Sequence, residues 1–279
     1  LGIILNKTII RFWGCRGSFP SFDENKIIYG GDTSCIEVRT SDNQLIILDM
    51  GTGLRKLGQK IINDSSYPKD INIFLSHHHL DHIHGFVMFA PLFNPEYNIT
   101  IHSRLSRGKN FKEILESFLQ PEVWPVMLED LPANLKFNTI DDSSVEINNT
   151  IKVSNSLHAH PNKAYSIKLD VAGKIITYVT DCEHPKKNLN QNVVNFASDS
   201  DILIHDAQYT LEDLETHSGW GHSSWKEAVD VAIQSNSKKL VLFHHSPDYD
   251  DNQINDIEKK AQMNFPDVVA AKQCMKIEI

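Results

Sequence analysis

Short runs of β-branched and aromatic residues, each closed by Gly, Asp, Ser or His, punctuate this chain and predict strands over 8–13, 35–39, 45–48, 71–75, 99–102, 137–140, 151–157, 165–169, 175–179, 201–204 and 239–243. Ala172-Gly173 reads as a hairpin turn between two of them. Helical spacing of apolar positions predicts helices over 54–62, 186–196, 225–235 and 250–263, a short helical face at 86–89, and a helix ending at Leu119 that opens on Arg104, Arg107, Lys109 and Lys112. Ser223 or Ser224 is expected to cap the helix that begins at Trp225, and 268–271 and 275–279 close the chain as edge structure. Each half thus alternates strands with helices, which predicts an α/β fold of two mixed sheets packed face to face with helices outside, the chain forming a single domain over 1–279.

Composition narrows the setting. With 279 residues and 41% hydrophobic content the chain can bury a large core, and no run approaches the ~18 apolar residues of a membrane span. The apolar opening 1–10 is short and lightly basic for a signal peptide. Cys15, Cys35, Cys182 and Cys274 lie far apart without a CxxC pair, as in a reducing compartment, so the expected location is the cytoplasm. A formal charge of −9 argues against broad nonspecific binding to nucleic acid, while a local positive site can still hold an anion. No membrane partner is expected, and a homodimer is left open.

The chemistry gathers in Ser76-His77-His78-His79-Leu80-Asp81-His82-Ile83-His84-Gly85, five histidines in eight residues directly after a predicted strand. In extended backbone positions i and i+2 share a face, so His77 and His79 can converge on one metal ion while His78 points away. A turn at Leu80 would bring Asp81 and His82 to a second ion. Further donors sit at later strand ends: His158 or His160, with His160 preferred; Asp181, placed to bridge two cations or else to cap the helix over 186–196; and His244. Asp49, with its glycine neighbours, is expected to support the metal loop from below by bonding nearby amides. The turn Gly14-Cys15-Arg16-Gly17-Ser18 is expected to expose Arg16. His222 lies beside a helix N-terminus, which disfavours an imidazolium, so a His that must donate a proton there needs a carboxylate; Asp206 is the candidate.

The series His77-x-His79-x-Asp81-His82, His160, Asp181 and His244 resembles the ligand series of the metallo-β-lactamase superfamily over nearly the whole chain. The resemblance implies the four-layer αβ/βα sandwich, one metal on His77, His79 and His160, a second on Asp81, His82 and His244, and Asp181 bridging. His-x-His-Leu-Asp-His before Gly85 is similar to class II cyclic nucleotide phosphodiesterases. Gly221-His222-Ser223, and His244 before Ser246, are similar to tRNA 3′-end endonucleases, although no long Gly/Pro-rich basic arm is evident.

Together these features predict a hydrolase with two divalent ions, zinc with manganese or iron as alternatives, and a bridging hydroxide as nucleophile. Asp81, His222 and Asp206 are the residues expected to serve catalysis. The first expectation is a phosphodiesterase for a small nucleotide, cyclic ones included. The alternatives are a tRNA 3′-processing endonuclease and a lactone or thioester hydrolase on the same metal pair; whether His158 or His245 joins the metal site is left open.

Overall fold

A computed structural model describes residues 7–142, 144–186 and 188–279; the first six residues of the apolar opening lie outside the described residues. The chain divides into two compact units, one comprising Ser34–Asp141 with the segments through Trp13 and from Lys276 onward, the other Gly14–Thr33 and Asp142–Met275. In chain order the strands are β1 (Ile9–Gly14), β2 (Cys35–Arg39), β3 (Leu45–Leu48), β4 (Asp70–Phe74), β5 (Asn98–Ser103) and β6 (Asn134–Thr139). They continue as β7 (Val145–Asn148), β8 (Ile151–His158), β9 (Ala164–Val171), β10 (Lys174–Val179), β11 (Ile202–Asp206), β12 (Leu240–Phe243), β13 (Val268–Ala270) and β14 (Lys276–Glu278). The helices are α1 (Leu54–Asn63), α2 (Leu80–Ile83), α3 (Phe111–Phe118), α4 (Gln191–Phe196), α5 (Leu211–Thr216), α6 (Trp225–Gln234) and α7 (Asp251–Gln262).

The first unit is built on a seven-stranded mixed sheet in the order β14-β1-β2-β3-β4-β5-β6. β3 through β6 run parallel, whereas β2–β3 and β14–β1 are antiparallel. β3 reads Leu-Ile-Ile-Leu and is buried throughout, the continuous apolar run that a strand covered on both faces requires. Leu54, Leu57 and Ile61 of α1 join Ile47, Ile73 and Phe86 in one core. Because β3 and β4 are parallel, their carboxyl ends emerge side by side, and Asp49 N–H donates to Phe74 O at 3.0 Å. That pairing brings Asp49 to the histidine loop that follows β4.

The second unit carries the other seven-stranded mixed sheet, β13-β12-β11-β10-β9-β8-β7. β10 to β13 are parallel and β7 to β10 antiparallel. Val179, Leu203, Leu240 and Leu242 meet Ala228, Val229 and Ala232 of α6 and Ile254 and Ile257 of α7 in its core. The parallel strands β10, β11 and β12 deliver Asp181, Asp206 and His244 from their carboxyl ends.

Among the numbered strands and helices, β7 and α5 were not foreseen from the pattern. β7 is short and mostly half-buried, and α5, Leu-Glu-Asp-Leu-Glu-Thr, buries no residue, so neither leaves a hydrophobic period to read. α4 begins at Gln191 and not 186, because Asn190 supplies the cap by accepting Asn192 N–H at 3.1 Å. The expected turn at Leu80 is a single helical turn, α2, and the face at 86–89 is a 3-10 helix over His84–Met88.

Candidate metal centre

In the first unit the chain leaves β4 at Phe74 and passes through Ser76 into the histidine loop. The rings of His77 and His79 lie 4.5 Å apart and those of His77 and His82 4.3 Å apart. Asp49 organises the loop from beneath. Its carboxylate accepts Ser76 N–H, Ser76 Oγ–H and His82 Nδ1–H, each at 2.8 Å, and it has no exposed surface. Expected only to bond amides, Asp49 thus also fixes a ring of the loop. Since Ser76 Oγ donates to Asp49, it accepts Nδ1–H of His77 at 3.1 Å. Both rings therefore carry their proton on Nδ1 and a lone pair on Nε2. The loop is pinned further by Met50 N–H to His82 O at 2.7 Å and Gly85 N–H to Met50 O at 2.8 Å. A Cβ on Gly85 would stand 2.0 Å from Gly51 O, so the approach requires glycine.

The same proton arrangement recurs in the second unit. His160 Nδ1–H donates to Gly221 O at 3.0 Å, and His244 Nδ1–H donates to Gln208 Oε1 at 2.8 Å. Their Nε2 atoms face opposite oxygens of one carboxylate: Asp181 Oδ1 is 3.2 Å from His244 Nε2, and Oδ2 is 3.7 Å from His160 Nε2. A lone pair facing a carboxylate is repulsive unless a cation lies with them, either a metal ion or a second ring proton. His82 Nε2 faces Asp81 Oδ2 at 3.2 Å in the same way. This donor chemistry fits divalent metal ions, with Nε2 presented and Nδ1 held by an acceptor in His77, His82, His160 and His244. Asp181 is not a helix cap: Thr180 Oγ–H donates to it at 2.7 Å, and its own N–H goes to Asp206 Oδ2 at 2.9 Å. Asp49, Asp181 and His244 all adopt positive φ, at 60°, 51° and 61°, strained backbone for non-glycine residues that also occurs in turns elsewhere in the chain.

Asp206 and His222 adjoin these donors. His222 Nδ1–H donates to Asp206 Oδ2 at 2.9 Å, while Asp206 Oδ1 accepts the N–H groups of Gln208 and Ser223, each at 3.1 Å. One donor atom from each of Asp181, Asp206, His222 and His244 lies within 4.8 Å of the others, all four residues buried. Burial works to raise the Asp206 carboxyl, but the adjacent His222 and His244 imidazoles outweigh it and hold the group below the usual carboxylate range. Ser224 caps α6 with a reciprocal Glu227 bond, which places His222 just outside that helix.

The Beta-lactamase superfamily domain matches residues 45–245, well over half of the chain. The chain belongs to the metallo-β-lactamase superfamily. It is a metal-dependent hydrolase of that superfamily, whose fold implies divalent metals, typically zinc. The chain is 25% identical to a protein of Picrophilus torridus named ribonuclease Z, covering 97% of this chain and 95% of that one. In fold it is similar to the metallo-beta-lactamase fold protein YhfI from Bacillus subtilis (TM-score 0.73, 16% identity, 98% and 99% of the two chains). It is likewise similar to human tRNase Z, short form (TM-score 0.67, 17% identity, 96% and 98%). The superfamily's αβ/βα sandwich is thus the fold class, as the ligand series implies.

The remaining histidines are employed elsewhere. His158 has both nitrogens engaged, Nδ1 with Ser166 Oγ at 2.9 Å and Nε2 with the carbonyls of Thr180 and Asp181 at 3.0 and 3.2 Å, and burial pushes its pKa down to about 4. It has no lone pair to offer a metal. His245 donates to Ala271 O at 2.9 Å, and burial lowers its pKa to about 3. His78 stacks on Phe111, 5.2 Å between centroids, and His84 is exposed. Cys182, His184 and His205 form another buried donor cluster. There Asn190 N–H donates to His184 Nδ1 at 3.1 Å, so Nε2 of the neutral ring bears the proton and presents no lone pair.

Several contributors left no signal in the sequence. Gln208 sets the His244 proton across 36 residues. Arg16, expected at the surface, is fully buried: Nη1 donates to the carbonyls of Ser246 and Tyr249 and Nε to that of Gly30, each at 2.8 Å, tying down the loop that follows His244.

Proposed function

We propose that this chain is a phosphodiesterase that cuts RNA close to a 3′ end, with precursor tRNA as substrate. His77, His79 and His160 would hold one divalent ion, Asp81, His82 and His244 a second, and Asp181 both, zinc being the expected metal and manganese or iron the alternatives. The carrying observation is the His222–Asp206 pair beside Asp181 and His244, a proton donor set among candidate ligands. When bound, the cations supply Lewis acidity, activating water and offsetting charge on the phosphoryl oxygens. Asp206 holds Nδ1 of His222 and remains ionised, which favours the imidazolium and leaves Nε2 to hand a proton to the departing oxygen. Asp49 and Ser76 keep the His82 and His77 rings turned so that Nε2, not Nδ1, is presented.

The sequence motifs by themselves favour a small nucleotide ahead of precursor tRNA. The nearly full-length match to a protein named ribonuclease Z supports the reverse order. The formal charge of −9 favours the small nucleotide as the second reading, since a long polyanion meets more net repulsion. Metal-loaded protein offered precursor tRNA, cyclic nucleotides, bis-p-nitrophenyl phosphate and an acyl lactone decides between them. Endonucleolytic cleavage of the precursor is expected; turnover of cyclic nucleotides alone would install the second reading, and hydrolysis of the lactone alone would remove both.

A further inference from the structure

Trp220 is 61% exposed, although it lies two residues before a buried histidine. Its loop is not loose. Gly219 and Gly221 both have positive φ, 90° and 92°, and both donate their N–H groups to Glu183, at 2.7 and 2.8 Å. Trp220 N–H donates to His217 O at 3.1 Å. The indole meets the His217 ring at 83° with centroids 4.8 Å apart. His217 in turn stacks on Tyr209, 4.7 Å and 22°, and is held by Nδ1–H donation to Asp213 O at 2.7 Å. Tyr209 meets His222 edge-on at 5.9 Å. Gly221 can carry no side chain, since a Cβ there would lie 2.0 Å from His160 Nδ1. A large aromatic is therefore fixed toward solvent at the end of a ring series that begins at His222.

We infer that Trp220 is a stacking surface for a nucleobase of the substrate, on the side of the departing oxygen. This rests on the reading of His222 as the donor to that oxygen, because the group attached to it must then lie next to the Trp220 loop. A flat, apolar, exposed ring suits the π-face of any base, and its fixed orientation keeps the ordering cost of binding low. The solvent-facing end of the series is the indole itself, a ring that carries no charge, so this surface suits the base and not the phosphate.

The test compares AMP with ribose 5-phosphate, which differ by the base alone, as ligands of metal-loaded wild type, Trp220→Ala and Trp220→Phe. Wild type is expected to prefer AMP by about 5- to 140-fold, the range for stacking on one aromatic. Trp220→Ala should lose that preference by weakening AMP only, with ribose 5-phosphate unchanged, and Trp220→Phe should keep part of it. Equal discrimination in wild type and Trp220→Ala overturns the inference. So does a Trp220→Ala effect on self-association, read by light scattering, with the preference intact. Bis-p-nitrophenyl phosphate and precursor tRNA are assayed in parallel: absence of any phosphodiester turnover counts against the functional reading, whereas turnover with unaltered discrimination counts against Trp220 alone.

Discussion

Asp181 Oδ1 lies 3.2 Å from His244 Nε2, which in the neutral ring carries a lone pair because Nδ1–H donates to Gln208. The other Asp181 oxygen faces His160. A carboxylate turned this way is suited to sharing two ions. Close to two metals per chain are expected on metal analysis of protein purified without chelator, falling to one or fewer in Asp181→Ala. A single tightly held ion, the same in the variant, would contradict the bridging role.

His158 and His160 differ in what their nitrogens do. His160→Ala should lower metal content severely, whereas His158→Ala should lower the unfolding midpoint, because Ser166 Oγ and two carbonyls lose a buried partner. Metal content and urea midpoints of the two variants separate the roles; equal metal loss would reassign the ligand.

His102 gives a pH dependence remote from the ligands. Its ring stacks on Phe74 at 4.2 Å, Nε2–H donates to Asn72 at 3.1 Å, and burial lowers its pKa from 6.5 to about 4. The unfolded chain takes up this proton below pH 6.5 and the folded one only near pH 4, so stability is complete above 6.5 and falls as pH drops through that window. Between pH 7 and 5 the wild type should lose about 2 kcal/mol more than His102→Phe, which keeps the stacking ring but not the titration. Identical losses in urea unfolding would show that His102 titrates normally in the fold.

The candidate ligands were legible because they crowd into one strand end or close other strands, where an apolar run stops on Asp or His. Spacing by itself leaves His158 and His160 open, since both fit an i, i+2 alternation; only hydrogen bonds to Ser166 and Thr180 separate them. The Asp206–His222 pair follows from the need of an imidazolium at a helix start for a carboxylate, and the two are hydrogen-bonded. Gln208 and Glu183 could not be found so, because each acts on a residue 36 or more positions away through hydrogen bonds that leave no local pattern. Arg16 was misplaced because an arginine in a glycine turn ordinarily reaches water, and here backbone carbonyls of other loops replace it. α5 escaped because its cap, Thr210 to Asp213 N–H at 3.1 Å, carries no apolar stripe with it.

The central claim, that His222 donates the proton to the departing oxygen, is tested most directly by the leaving-group dependence of His222→Ala. With metal content verified as full, kcat on a phosphodiester with an alkoxide leaving group should fall by about 10²- to 10⁴-fold. On bis-p-nitrophenyl phosphate, whose leaving group hardly needs a proton, the loss should be far smaller. An equal loss on both substrates, or full activity on both with a lowered unfolding midpoint, would contradict the account and leave His222 a structural partner of Asp206.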